Sequence, residues 1–433
     1  MSDIDLKPRL KRSSFAIICS ISVATAMGNT GLISVLPSIG RSVGIPDPMV
    51  AAIFSLSAIC WASASPFWAR ASDRHGRKPL MLIGLTGFMV SMTLCGLVVS
   101  AGLRHLAPAM VIFAAFLLCR ALFGLFGSAS NPAVQAYVAE RTPVEERTQA
   151  ISSLAGAFGL GTVLGPFFAP LFILPVVGLA GPLFGFTLIA AVMLFLVWRF
   201  LPETPVAPTA RDVASTQETK GPPLWRDPRV TPFLIYGFIT AACQTGQAQS
   251  LGFLIIDKLR VSPTQAQGYI AIAMMFGAIA GLLAQWGLIR MFQMTPRHLL
   301  RWGVGLAALG NLIVAFSPNY LTVVAGFALS SLGVGFGRPG FTAGASLAVN
   351  MAEQARVAGA IAAVNGINVI LAPLFILLYE RNHPAPFLLN MLLLLALLVF
   401  TLRSPALRAA DPKPASREDT LYATLEREDE GGV

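Results

Sequence analysis

Residues 69–79 read ARASDRHGRKP, a basic run between two apolar stretches that are each long enough to cross a lipid bilayer. Outward from this run, the chain between Ser13 and Arg403 has room for twelve such stretches. A spanning helix needs roughly 20 apolar residues, and in lipid its backbone polar groups must pair within the segment. The sequence therefore predicts an all-α integral membrane protein with twelve transmembrane helices.

The composition excludes a soluble protein. Of 433 residues, 55% are hydrophobic and only 12% are charged, with a mean hydropathy of +0.69. Soluble domains carry about 25% charged residues. The period-2 alternation of a barrel is absent, so helices are the expected spanning elements.

The basic residues indicate the orientation of the chain. The net charge is +10, and most of the 31 lysines and arginines fall in the turns at one end of the predicted bundle. An excess of positive charge marks cytoplasmic loops. We therefore expect both termini in the cytoplasm, in the cytoplasmic (inner) membrane of a bacterium, and see no reason to invoke a nucleic-acid partner.

One long polar segment divides the chain into two halves. A stretch rich in proline, threonine and charge separates six predicted helices from six more, as a flexible linker would. The expected organisation is a cytoplasmic N-terminus (1–13), a six-helix bundle (14–201), a cytoplasmic linker (202–229), a second six-helix bundle (230–403) and a disordered cytoplasmic tail (404–433).

The two halves repeat one another weakly. Gly124, Gly127 and Pro132 in helix 4 are echoed by glycines within 333–337 and by Pro339 in helix 10. A repeat of six helices plus six is typical of proteins that work by alternating access, with a substrate held between two rocking halves. We therefore predict two pseudo-symmetric six-helix bundles.

The run at 69–79 resembles a motif of a known family. Its pattern, G-x-L-x-D-R-x-G-R-[KR]-P, is matched at Asp73, Arg74, Gly76, Arg77, Lys78 and Pro79, whereas alanines replace the family's first Gly and its Leu. On these residues the chain resembles the major facilitator superfamily, and most of all its twelve-helix drug:proton antiporters, which include tetracycline and multidrug efflux pumps.

The resemblance implies a conformational role for this motif. In the family, the residue equivalent to Asp73 braces helix 2 against helix 11 and stabilises the outward-facing state. Arg77 would pair with a carboxylate at the end of helix 4, for which Glu140 is the candidate. Arg74 and Gly76 belong to the same expected gating set. The alternative is a basic turn that only fixes the orientation of the helices.

Two further helices carry patterns similar to those of the family. In helix 4, Arg120 precedes a pair of glycines, and the resemblance implies a part in proton coupling; the alternative is a structural arginine that binds backbone carbonyls. In helix 5, Gly161, Gly165 and Pro166 resemble the pattern associated with export. Small residues also let membrane helices pack closely without any such function.

Helix 1 departs from the tetracycline pumps it resembles. Those pumps carry an Asp three residues before a Gly, whereas this chain has Thr25 at that position and no helix 1 carboxylate. The other acids are expected at helix ends. The coupling site is therefore open: either an end-of-helix acid such as Asp73 serves, or coupling differs from that of the relatives.

Polar residues within the predicted helices are candidates for substrate binding. Amides in lipid face either other helices or a water-filled cavity. Two central arginines without a central carboxylate favour an anionic, zwitterionic or neutral substrate, unless Arg338 reaches the interface instead. The candidates are Asn29, Gln244, Gln247, Arg338, Asn365 and Asn368.

Several classes of function find no support in the sequence. The histidines and cysteines have no metal-type spacing, and neither a nucleotide-binding loop nor a catalytic cluster is present. We therefore expect no enzyme activity, cofactor or metal. The prediction is a monomeric, proton-coupled exporter of a small organic compound. A facilitator or symporter that imports a metabolite, or a non-transporting sensor, is the alternative.

Overall fold

The computed structural model describes residues 11–203, 224–350 and 353–408. Within these ranges the chain forms twelve long helices and no strand. The first six are α1 (Arg12–Val43), α2 (Asp47–His75), α3 (Arg77–Leu103), α4 (Ala109–Arg141), α5 (Val144–Phe168) and α6 (Gly181–Phe200). The prediction of an all-helical membrane fold is confirmed.

The second half repeats this arrangement. Its helices are α7 (Thr231–Leu259), α8 (Pro263–Met291), α9 (Pro296–Ala315), α10 (Tyr320–Leu347), α11 (Arg356–Arg381), α12 (Ala385–Arg403) and the short α13 (Pro405–Arg408). Helix α4 contains a π-helical turn at Phe123–Gly127, and α11 contains a 3-10 turn at Asn368–Leu371. Both irregular turns lie near the middle of their helices.

Of the twelve long helices in the described ranges, α7 is the one without a strongly apolar 18-residue stretch. Eleven helices in the described ranges are long and apolar enough to cross a membrane. Helix α7 has the length, 29 residues, but its centre is interrupted by glutamines. Gln247 and Gln249 are buried against protein, which explains how a spanning helix tolerates them.

The bundle has two ends with different packing. The end that carries Arg41 is called the Arg41 end, and the end that carries Arg77 is called the Arg77 end. The largest core cluster joins both halves at the Arg41 end, from Val35 in α1 to Ile270 in α8 and Tyr379 in α11. Toward the Arg77 end, separate clusters fill the two halves. The halves therefore meet most closely at the Arg41 end.

The glycines predicted for the export pattern let α5 lie directly against α1. A Cβ atom added at Gly161 would be 2.4 Å from the carbonyl oxygen of Val23, and one at Gly165 would be 2.3 Å from that of Met27. Both distances are too short for any side chain. Pro166 follows within the last turn of α5.

The basic run at 69–79 differs from the expected loop. Helix α2 continues through His75 and α3 begins at Arg77, so the turn is reduced to Gly76. Gly76 has φ +96°, a backbone conformation that glycine adopts without steric cost. The motif is thus the corner between two helices.

Parts of the predicted linker and of the predicted tail form regular structure. The linker prediction at 202–229 falls mostly on residues outside the described ranges, but Leu224–Arg226 forms a 3-10 turn. The predicted tail begins with α13, in which Leu407 is buried. The rest of the tail and residues 1–10 also lie outside the described ranges.

Candidate functional site

The Arg77 end contains a cluster built from the basic corner. Arg77 Nη1 lies 2.6 Å from Asp73 Oδ1 and 2.9 Å from Ser72 Oγ, and its Nε donates to Glu140 Oε1 at 3.1 Å. The expected pairing of Arg77 with Glu140 is therefore present. It ties the end of α4 to the corner of α2 and α3. Arg74 points to the exposed side of the last α2 turn.

The Arg41 end contains a second charged cluster, which the sequence reasoning missed. Arg41 Nη2 lies 2.6 Å from Asp47 Oδ2, and Arg41 Nη1 lies 2.7 Å from Asp257 Oδ1. Tyr379 donates its hydroxyl to Asp257 Oδ2 at 2.7 Å, and His383 stacks on the Tyr379 ring at a centroid distance of 4.7 Å.

This cluster connects the two halves, whereas the Arg77 cluster lies within one half. Arg41 is in α1, and Asp257 is near the end of α7. A signal was available, because an Arg near the end of α1 and an Asp near the end of α7 occupy corresponding places in the repeat. The positions do not reveal by themselves that the two helices meet.

Uncharged hydrogen bonds continue the junction between the halves. Gln267 in α8 donates its Nε2 to Ser34 Oγ at 3.2 Å, and Ser38 Oγ donates to Gln267 Oε1 at 3.4 Å. Ser55 Oγ in α2 donates to the Val369 carbonyl in α11 at 3.1 Å. Three helix pairs thus close the Arg41 end: α1 with α7, α1 with α8, and α2 with α11.

Arg120 lies in the centre of α4 and is 1% exposed. Its Nη2 donates to Asn29 Oδ1 at 3.0 Å, so the two candidates come together. Its guanidinium carbon lies 4.5 Å from the ring centroid of Phe123 and 5.5 Å from that of Phe54. Among the described residues, its Nε and Nη1 have no hydrogen-bond partner.

The candidate amides of α7 and α11 have different environments. Gln244 is exposed, whereas Gln247 accepts a hydrogen bond from Ser330 at 2.7 Å and is 2% exposed. Asn368 is also buried and accepts from Thr245 at 2.6 Å. Gln247 and Asn368 therefore bond to neighbouring helices, which was the alternative to substrate contact.

Two other predicted contacts remain accessible. Asn365 is half-buried one turn before Asn368, and Arg338 is exposed within α10. A charged side chain that faced lipid so far from a helix end would be costly. That cost favours an orientation of Arg338 toward the space inside the bundle over one toward the lipid.

Buried amides link four helices of the second half, a network that the sequence reasoning did not identify. Gln247 accepts from Ser330, which in turn accepts from Asn311 Nδ2 at 3.1 Å. Asn311 accepts from Asn390 Nδ2 at 3.2 Å, and Asn390 Nδ2 also donates to the Cys243 carbonyl at 3.0 Å. The network fixes α7, α9, α10 and α12 to one another.

A surface ion pair precedes α7 at the Arg77 end. Arg229 Nη2 lies 2.7 Å from Asp227 Oδ2 and 3.2 Å from Glu353 Oε1. The hydrogen bond from Arg229 lowers the pKa of Asp227 below its ordinary value. This pair lies in the segment just before α7 and reaches the second half through Glu353.

The acids of the described residues are confined to helix ends and turns. Asp47 and Asp73 lie at the two ends of α2, Asp257 near the end of α7 and Glu380 at the end of α11. No group of three or more potential metal ligands occurs in the described part of the chain. The space between the halves therefore has no carboxylate from the central turns of the described helices.

Comparison with known proteins agrees with this architecture. Multidrug resistance protein 2 of Bacillus subtilis is 28% identical over 156 residues, 36% of each chain. Tetracycline resistance protein, class D, of Salmonella ordonez is 32% identical over 153 residues, 34% of each chain. The matched stretch thus spans about a third of the length of these relatives.

Solved structures share the fold. A bacterial homolog of the human lysosomal transporter Spinster, in an inward-facing and unoccupied conformation, superposes with a TM-score of 0.67 at 15% identity, over 94% of this chain and 100% of that one. The sequence model of the Major Facilitator Superfamily matches residues 18–294. This match covers well over half of the chain, and the protein belongs to the Major Facilitator Superfamily.

Proposed function

We propose that the protein is a secondary active transporter that exports a small organic compound by alternating access, with protons as the driving ion. The observation that carries this proposal is the ion pair between Arg41 and Asp257, which joins the two halves at one end only. A pair of bundles held together at one end can expose a central site at the other. The names of the resistance relatives favour export of a drug-like compound.

The two charged clusters have distinct roles in this proposal. The bond from Arg41 to Asp257 closes the Arg41 end and must break when that end opens. The family resemblance assigns the corner formed by Asp73, Arg77 and Glu140, with Arg74 and Gly76 shaping it, to the opposite state; its ion pairs are already formed while the Arg41 end is closed. Each cluster then favours one side of the conformational equilibrium.

The proposed setting follows from the positive charge at the Arg77 end. This end lies in the cytoplasm, with both termini, and the protein acts as a monomer in the bacterial inner membrane. The two halves, 14–201 and 230–403, move relative to each other. Gly161, Gly165 and Pro166 keep α5 packed on α1 within the first half during this movement.

Proton flux in inverted membrane vesicles tests the proposal. A pH-quenched dye would report whether candidate compounds, tetracycline among them, collapse the proton gradient only when the protein is present. The variant Asp73→Asn should abolish the effect. Asp227→Asn, which alters a surface ion pair in the segment before α7, is the matched control and should leave the flux unchanged.

A facilitator that moves its substrate without protons is the second candidate. The lack of a carboxylate in the central turns of the described helices favours it, because a coupled proton normally binds a buried acid. The same vesicles distinguish the two. If labelled solutes equilibrate through the protein while no compound collapses the gradient, the facilitator is correct and proton coupling is wrong.

A further inference from the structure

The centre of the bundle carries positive charge without a matching acid. Arg120 lies 11 residues inside the start of α4 at Ala109, and Arg338 lies 9 residues before the end of α10 at Leu347. In the described ranges these two are the charged residues furthest from any helix end. The acids are confined to helix ends, more than two helical turns away along α4.

Of these two arginines, Arg120 is the one with buried donors that lack a hydrogen-bond partner. It is 1% exposed, yet in the described structure Nε and Nη1 have no hydrogen-bond partner. A buried donor without an acceptor costs about 1–3 kcal/mol, and more when it is charged. An arginine in this state retains capacity to bind two further acceptor atoms.

The groups around Arg120 define what that acceptor must be. The guanidinium carbon of Arg120 lies over the rings of Phe123 and Phe54, at 4.5 and 5.5 Å from their centroids, so two of its neighbours are apolar. The edges of the guanidinium plane remain for hydrogen bonds. Asn29 supplies a neutral oxygen at 3.0 Å and leaves the charge unbalanced. An oxygen pair with a negative charge would satisfy both the donors and the charge.

The irregular turn of α4 lies next to Arg120, where a bound group would have to enter. Phe123 begins the π-helical turn Phe123–Gly127, and turns of this kind are frequent at functional sites. Phe123 also lies 5.3 Å from half-buried Trp61 of α2, so it separates Arg120 from the more open half of that helix. Access to Nε or Nη1 requires a movement of the surrounding side chains, and Phe123 is the neighbouring ring that lies at the irregular turn.

We infer that Arg120 binds the negatively charged group of the transported compound, so that the substrate class is an aromatic or lipophilic organic anion such as a carboxylate. The inference rests on the proposed transport function for its biological meaning. Asn29 positions the guanidinium, and Phe54 and Phe123 contact the apolar part of the compound. Arg338 adds positive charge from the other half.

Three probes of nearly equal size and different charge test this inference: 2-naphthoate, its methyl ester and 2-naphthylmethylammonium. Binding to the purified full-length protein is measured by isothermal titration calorimetry at pH 7, where the carboxylate is ionised. We expect naphthoate to bind at least tenfold more tightly than the other two. Equal or weaker binding of naphthoate, including no measurable binding, overturns the inference.

Two asparagine variants locate the anion site without removing the arginine. Asn29→Asp places a carboxylate within 3.0 Å of Arg120 Nη2, which should neutralise the guanidinium and weaken naphthoate binding at least tenfold. Asn131→Asp adds the same charge to an exposed position of α4, eleven residues from Arg120, and should weaken binding less than twofold. An equal loss in both variants would mean general repulsion and would overturn the assignment.

The vesicle assay distinguishes this inference from the proposed function. If naphthoate binds through Arg120 but no compound moves across the membrane, transport is wrong and the anion site stands. If amines are exported and naphthoate shows no preference over its ester, the anion site is wrong and transport stands. Arg120→Gln, where it folds, should lose the naphthoate preference as Asn29→Asp does.

Discussion

Replacing Asp257 by Asn is expected to loosen the closed Arg41 end. The substitution keeps the size of the side chain but removes the charge that Arg41 contacts at 2.7 Å through Nη1 and at 3.2 Å through Nη2. Arg41 keeps its partner Asp47 at 2.6 Å in the same half. The change therefore weakens the connection between the halves and leaves the pairing within the first half intact.

The size of the effect follows from these contacts. Hydrogen bonds to charged groups contribute about 1.5–3 kcal/mol, and here an amide oxygen still accepts one of them. A net loss of about 2 kcal/mol is therefore expected for the closed state. Since about 1.4 kcal/mol corresponds to a factor of ten, the population open at the Arg41 end should rise roughly 30-fold.

Cysteine labelling measures this population. Ser34 is buried just inside the Arg41 end, where Gln267 binds it, so a cysteine there reacts only when the end opens. The five native cysteines are replaced first. A membrane-impermeant maleimide added from the Arg41 side should then label Ser34→Cys about 30-fold faster in the Asp257→Asn background.

A control variant separates opening from a general loss of stability. Asp227→Asn makes the same chemical change in an ion pair of the segment before α7, at the opposite end of the bundle, and should leave the labelling rate unaltered. A labelling rate in Asp257→Asn within twofold of the parent would refute the reasoning, because it would mean that apolar packing and the uncharged hydrogen bonds of Gln267 and Ser55 are enough to hold the end closed.

Three other changes have definite expectations. Gly161→Ala puts a Cβ atom 2.4 Å from an α1 carbonyl oxygen and should lower the free energy of unfolding by about 1–3 kcal/mol. Gly366→Ala places its Cβ atom in open space and should leave that free energy unchanged; unfolding in detergent measures both variants. Glu140→Gln should lower the free energy of unfolding by less than about 1 kcal/mol, because Glu140 is half-exposed where it contacts Arg77. The same variant should reduce the rate of proton flux in vesicles. An unchanged rate would favour a corner that only fixes the orientation of the helices. Asn390→Leu removes the hydrogen bonds to Asn311 Oδ1 and to the Cys243 carbonyl and should lower the free energy of unfolding by roughly 2 kcal/mol in the same assay. No loss would mean that water replaces the amide.

The fold could be predicted from the sequence because each spanning helix is recognised from the length and the composition of its own segment. Length and apolar composition identify eleven of the long helices in the described ranges; α7 has the length, but its glutamines make its centre less apolar. The partner of Arg77 could also be predicted, since a family pattern relates Arg77 to the end of helix 4, where Glu140 stands. The single-residue corner at Gly76 was missed because its motif reads as a polar loop.

The candidate site was harder to predict because it depends on which helices meet. Arg41 and Asp257 are 216 positions apart, and nothing in the local sequence of either one indicates the other. The amides show the same limit. Gln244 and Gln247 are close on one helix, but the packing of α10 against α7 buries only Gln247.

The separation of charges restricts how a driving ion could act. If protons drive transport, they must bind near a helix end, at groups such as Asp73 or Asp257, because the central turns of the described helices contain no acid. A proton on Asp257 would remove the charge that holds Arg41 and would favour opening of that end. It would not compete directly with an anion at Arg120, which lies near the middle of α4. In such a protein, coupling comes from the order in which the two ends open, because substrate and proton bind at different depths in the membrane.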